Sequence, residues 1–186
     1  MLMGQAFVSI TGCIASGKST IARRLARGLR ARGRTAAVVD LDLIYEMLGD
    51  DPKNDETIWR SARRTASSLA SAMTTSGTQF VIVEGEFWTQ AARGDLLHAL
   101  PSTIPVHYIT LAVSYPEALR RATADPTRGL SKDPIFLENH YAGFLAVIND
   151  LRATDLIFDT ELLTPELISD RIANGVLGAR QELPGG

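Results

Sequence analysis

Gly12-Cys-Ile-Ala-Ser-Gly17-Lys18-Ser19 decides how this chain is read, because it follows the spacing Gly, four residues, Gly, Lys, Ser. Such a run works as a phosphate cradle only between a strand and a helix. Both are predicted here. Ala6-Phe-Val-Ser-Ile-Thr11 is short and β-favouring, and from Lys18 to about Arg32 the residues Ile21, Leu25 and Leu29 recur at helical spacing until Gly33 stops them. In that setting Gly12, Ala15, Ser16 and Gly17 can turn successive N–H groups towards phosphate oxygens at the positive end of a helix. Lys18 adds a full charge for the β and γ phosphates, the Ser19 hydroxyl suits a bridging Mg²⁺, and Thr20 is a subsidiary contact. Cys13 occupies a variable position of the run and reads as a small filler rather than a redox group.

Working outward, Thr35–Val39 is the second strand, delivering Asp40 and Asp42 at its carboxyl end, and Leu43–Leu48 is a short helix that either aspartate could cap. Between Asp55 and Thr75 the residues Trp59, Ala62, Ala66, Leu69 and Met73 form one apolar stripe, leaving Arg60, Arg63, Arg64 and Ser67 largely off it. Gln79–Glu84 reads as a strand buried on both faces and ending in a carboxylate. Ile104–Leu111 is the fourth strand, and a helix from Pro116 to about Thr123 precedes a breaker-rich segment, Asp125–Asp133, expected to be a mobile loop. Asp133-Pro134 starts a further helix with Leu137, Tyr141, Phe144 and Ile148 on its apolar face. Asp155–Phe158 is the fifth strand, Thr164-Pro165-Glu166 opens the last helix, and Pro184–Gly186 is expected to fray. Strands alternating with helices, without a linker or repeat, predict one α/β domain over residues 1–186, a parallel sheet covered on both faces.

Composition narrows the class. With 45% hydrophobic and 22% charged residues the chain can bury a core, which excludes a disordered protein. A formal charge of −2 argues against a nucleic-acid scaffold held by bulk positive charge. One cysteine cannot make an internal disulfide, no apolar run approaches the roughly 20 residues that cross a bilayer, and the start has no leader pattern. The expected setting is cytoplasmic, with no membrane partner.

These stretches together resemble the small P-loop kinases, the group of adenylylsulfate, gluconate and shikimate kinases and chloramphenicol phosphotransferase. The resemblance rests on GCIASGKST at 12–20, VVDLD at 38–42, VIVEG at 81–85, LRRATADPTRGLSKDP at 119–134 and DLIFDT at 155–160. It implies a three-layer P-loop NTPase fold with five parallel strands in the order 2-3-1-4-5 and a short lid at about 120–134. It further implies ATP and Mg²⁺ as cofactors and phosphoryl transfer to a small hydroxylated acceptor, a metabolite or an antibiotic.

Phosphoryl transfer asks the protein to align donor and acceptor and to neutralise spreading charge, so acids and bases should converge beside Lys18. By the resemblance Asp42 is the candidate base, with Asp40 or Glu84 open as alternatives; Asp40 and Glu84 are also candidates for Mg²⁺ with Ser19. Related chains carry Asp where this one has Glu84. In the lid, Arg121 and Arg128 look like phosphate-facing arginines, with Arg120 as the alternative to Arg121, and Gly129 stands where shikimate kinases have proline. Glu86, Phe87 and Trp88 could shape the acceptor pocket, as could Tyr45 and Trp59, while packing in the core is the alternative for each aromatic. Arg60, Arg63 and Arg64 could meet an anionic acceptor, or form a solvated basic face. His98, His107 and His140 lack metal-ligand spacing and receive no catalytic role. A polynucleotide 5′-hydroxyl kinase is the near alternative, disfavoured by the charge, and a nucleotide-dependent regulatory module is the distant one. An Asn-Lys-x-Asp signature of guanine recognition is missing from the sequence.

Overall fold

β1 (Ala6–Gly12) is buried along its whole length, because both faces of its alternating side chains are covered by helices. The computed structural model describes residues 4–49 and 55–178. The expected frayed tail at 184–186 lies outside them.

The chain continues through α1 (Lys18–Ala31), β2 (Ala36–Asp40), α2 (Leu41–Leu48), α3 (Glu56–Thr75), β3 (Phe80–Glu84), α4 (Gln90–Leu97) and β4 (Val106–Ala112). It ends with α5 (Tyr115–Ala124), a single 3₁₀ turn at Leu130–Lys132, α6 (Pro134–Arg152), β5 (Leu156–Asp159) and α7 (Pro165–Gly178). All four strand pairings are parallel, in the order β2-β3-β1-β4-β5, as the resemblance implies. One face of the sheet packs Val8, Ile10, Phe80 and Ile82 against α1 and α7 through Ile21, Leu25, Leu29, Ile168 and Ile172. The other packs Phe7, Val81 and Val83 against α2, α3 and α4 through Leu41, Ala62, Ala66 and Leu96. A third cluster, built on Val113, Ala118, Leu137 and Phe144, seats α5 and α6 beside the glycine-rich loop.

Two sequence expectations are corrected, and two features that the sequence did not show are added. α2 begins two residues before Leu43, since Asp40 caps it by accepting from the Asp42 N–H at 3.1 Å, so Asp42 lies in the first helical turn and not at the strand end. On α3 the buried face carries Ala62, Arg63, Ala66, Ser67 and Ala70, whereas Leu69 is exposed. Small alanines let the helix lie close to the sheet, and Arg63 can be buried because Glu56 and Asp95 pair with it. The helix α4 had no expectation at all: eight residues with Gly94 inside carry little periodicity, although Thr89 caps it at the Ala92 N–H. Finally, segment 125–133 is knit locally, with Asp125 accepting from the Thr127 N–H and hydroxyl, Arg128 paired with Asp125, and Lys132 donating to the Pro126 carbonyl.

Candidate active site

Strand order reverses about β1, whose neighbours are β3 and β4, so the crevice at the carboxyl ends of these strands is where an open α/β sheet binds ligands. The loop leaving β1 fills that crevice. Gly12 has φ +154°, and a Cβ there would stand 2.4 Å from the Leu111 carbonyl and 2.7 Å from Ser16 Oγ, so no other residue fits. Ala15 is left-handed at φ 61° and Gly17 at φ 93°, which curls the backbone before α1 starts. Ser16 Oγ is buried without a hydrogen-bond partner among the described residues. Lys18 Nζ lies over this curl, donating to the carbonyls of Gly12 at 3.1 Å and Cys13 at 3.2 Å. Burial pushes the Cys13 thiol up to about 11, against the opposing charge of Lys18, which accords with a filler.

The acids predicted beside Lys18 converge there. Asp40 and Glu84 are direct partners in the register of β2 and β3 and end those strands side by side. Glu84 is buried to 2% exposure, and burial raises its carboxyl to about 7, aided by Asp40 and Asp42 and opposed by a hydrogen bond from Ser19 and the charge of Lys18. Its Oε1 has no hydrogen-bond partner among the described residues. Crowding also desolvates the Asp42 carboxyl and raises it, Lys18 opposing and Asp40, Glu86 and Glu46 reinforcing. Arg23 faces Asp40 at 3.9 Å. Gly85 permits this convergence, since a Cβ there would lie 2.7 Å from Leu41 Cβ.

One cavity opens on the loop and a second lies beyond the end of β3. On the β4–β5 side a space of about 330 Å³ is lined by Ser16, Gly17, Thr20, Arg121, Arg128 and Leu163, among others. Arg121, not Arg120, turns to the loop: it bonds the Ala15 carbonyl at 3.5 Å, the Thr160 hydroxyl at 3.0 Å and the Thr160 carbonyl at 2.9 Å, while Arg120 pairs with Glu117 in solvent. On the β2–β3 side a space of about 250 Å³ is lined by Glu56, Trp59, Arg63, Glu86, Trp88, Thr89, Ala92 and His140.

Several expectations for this second cavity change. Phe87 is wholly buried in the core, its N–H donating to the Thr11 hydroxyl, because successive residues of an extended segment point to opposite sides. Tyr45 lies behind Trp59, their rings stacked at 4.0 Å. Arg60 and Arg64 pair with Asp95, and Arg64 also meets His98, so only Arg63 of that trio reaches the cavity. His140 was missed: it bonds Glu86 at 3.0 Å and sits 4.8 Å from the Trp88 ring. No local signal joins residues 54 positions apart. Arg93 was missed too. It is buried, donating to the Phe87 carbonyl at 3.1 Å and to both Asp155 oxygens at 2.7 and 2.8 Å, and it holds the segment carrying Glu86 and Trp88 in place. The signal available was Asp155 itself, a carboxylate opening an apolar strand, which needs a buried partner.

A family model described as an AAA domain matches residues 8–132, more than half the chain, including the glycine-rich loop and the acids Asp40, Asp42 and Glu84. The chain belongs to this AAA domain family. Solved structures similar to this AAA domain include a sugar kinase from Janibacter sp. HTCC2649, at TM-score 0.65 and 19% identity over 98% of this chain and 99% of that one. A shikimate kinase from Acinetobacter baumannii in complex with shikimate matches at TM-score 0.61 and 18% identity, covering 96% of each chain. A gluconokinase from Sinorhizobium meliloti 1021 matches at TM-score 0.58 and 17% identity, covering 95% of this chain and 98% of that one. These likenesses show a P-loop kinase-like fold. No match was found among curated proteins. Among the described residues of this AAA domain no helix is long and apolar enough to cross a membrane.

Proposed function

We propose that the chain is an ATP-dependent phosphotransferase that moves the γ-phosphoryl group to a hydroxyl of a small acceptor. The observations that support this reading are a cavity lined by the phosphate cradle, the charge of Lys18 acting on the Asp42 and Glu84 carboxyls beside that cradle, and a second cavity lined by Glu86 and Trp88 just beyond the end of β3. ATP enters from the side of Arg121 and Arg128, its phosphates on the N–H groups of residues 12–19 and Lys18, and the acceptor enters from the side of Trp59 and Trp88. The acceptor oxygen attacks the γ-phosphorus while the bond to the bridging oxygen breaks, ADP leaves, and the hydroxyl proton passes to Asp42.

The unpartnered Oε1 of Glu84, the Ser19 hydroxyl and the abreast Asp40 form an oxygen donor set that fits Mg²⁺. These residues would hold the ion, directly or through water, and the ion supplies charge neutralisation at the phosphates. Arg121 is fixed by Glu117 and Thr160 and shapes the nucleotide side, whereas Arg128 on segment 125–133 brings charge to the transferring group as the lid at about 120–134 closes.

The test compares three proteins by calorimetry with ATP·Mg²⁺ and by ADP release over a panel of hydroxylated acceptors. The parent chain should bind ATP·Mg²⁺ and release ADP only with an acceptor. Asp42→Asn should keep that binding and lose transfer by about 10²-fold or more, and Lys18→Met should lose both. If Asp42→Asn transfers at the parent rate, Asp42 is not the base; if no acceptor ever stimulates turnover, the phosphotransferase reading fails.

A further inference from the structure

The acceptor-side cavity differs in charge from what Arg60, Arg63 and Arg64 suggest in sequence. Arg63 is the one arginine or lysine of its lining, and it is already paired: its guanidinium contacts the Glu56 carboxylate and lies 3.8 Å from Asp95, which Arg60 and Arg64 share. Glu86 adds a second lining carboxylate, half-exposed, and it is close enough to Asp42 to raise that group as well. An anion entering here would face Glu56 and Glu86 together. A cation would be welcomed by those carboxylates and by the ring faces of Trp59 and Trp88.

Residues that line the cavity also carry buried donors without a partner. Arg63 Nε and Trp88 Nε1 are buried and have no hydrogen-bond partner among the described residues, although the Arg63 side chain is only 7% exposed. His140 Nδ1 is also buried without a hydrogen-bond partner among the described residues, but with Nε2–H donating to Glu86 it is an acceptor in the neutral ring, not a further donor. Hydroxyl or ring oxygens that reach Arg63 Nε and Trp88 Nε1 can accept from them without bringing charge. A space of about 250 Å³ accommodates a single ring or a short chain.

Resting on the phosphotransferase reading, we infer that the acceptor is a small polyhydroxylated amine, an amino sugar or amino alcohol. Its ammonium sits between Glu86, Glu56 and the indoles, and its oxygens take the donors of Arg63 and Trp88. Shikimate, bound in the similar kinase from Acinetobacter baumannii, carries no ammonium group, so this inference concerns a difference from that ligand.

Two matched sets of compounds isolate the charge: glucosamine, glucose and gluconate, and ethanolamine, ethylene glycol and glycolate. Binding of each is measured by calorimetry at neutral pH with ADP·Mg²⁺ present. The amine of at least one set should bind about tenfold or more tightly than its neutral and anionic partners. Glu86→Gln should bring that amine down to about the affinity of its neutral partner, and Glu56→Gln, by leaving Arg63 less matched, should shift preference towards the anion. Circular dichroism reports whether each variant is folded. The inference is overturned if no amine binds, if the anion or neutral member is preferred in both sets, or if amine preference survives both substitutions. Binding is read without turnover, so amine uptake with no phosphoryl transfer would sink the kinase reading alone.

Discussion

Glu84 is a carboxyl buried at the end of β3, with Ser19 as its hydrogen-bond donor and two other acids nearby. Its pKa of about 7 lies above the value of an unfolded glutamate near 4.5, so the folded chain holds a proton that the unfolded chain releases. Folding is therefore favoured below about pH 4.5 by this group, and the advantage drains away as pH rises to about 7. Glu84→Gln removes the titration while keeping an oxygen for Ser19. In nucleotide-free protein the variant should be more stable than the parent above neutrality, by on the order of 2 kcal/mol, and the gap should narrow as pH falls towards 5. Thermal melts across that range measure it; a constant gap would mean that the Glu84 charge is not what costs stability. At this scale the sequence was most legible where chemistry demands one residue type, as at Gly12 and Lys18. It was least legible where a role depends on which way a side chain points: Asp42 lies in a helical turn, Phe87 faces the core and Glu86 the cavity, and neighbours in sequence give no sign of that.

Elements are tied to the site by contacts distant in sequence. Arg93 on α4 binds Asp155 immediately before β5, stacks 4.5 Å from the Tyr108 ring and holds the Phe87 carbonyl, while the Thr110 hydroxyl donates to Asp155 at 2.6 Å. Both charged side chains are buried, at 7% and 0% exposure. Breaking such a pair strands one charge in a low-dielectric setting. Arg93→Met should therefore cost about 3–5 kcal/mol in denaturant unfolding, and the double variant with Asp155→Leu should recover part of that loss. Since Arg93 fixes the segment carrying Glu86 and Trp88, the acceptor KM should rise more than the affinity for ATP falls. Equal losses on both sides would make the pair a support of the whole fold instead. Periodicity revealed the long helices, but α4 escaped it and the α3 stripe was rotated, because packing by alanine and a paired arginine does not follow hydrophobicity.

Across the whole molecule the two cavities share no lining residue, so on the phosphotransferase reading donor and acceptor can be seated at once. Transfer should be direct between them. Initial-rate patterns are expected to intersect on reciprocal plots, and rapid quenching with γ-labelled ATP should leave no label on the protein; parallel lines with a labelled intermediate would contradict the arrangement.

By itself the sequence determined the α/β class, the phosphate cradle and the strand ends that carry acids, since these follow from local spacing and from the parallel strand-helix alternation. Only the tertiary structure decided that Arg121 and not Arg120 faces the loop, that Arg63 is neutralised, and that His140 joins Glu86. The reason is physical: a backbone motif fixes its own geometry over a few residues, whereas the charge and shape of a cavity are set by side chains from α3, the β3–α4 segment and α6, which only folding brings within reach of one another.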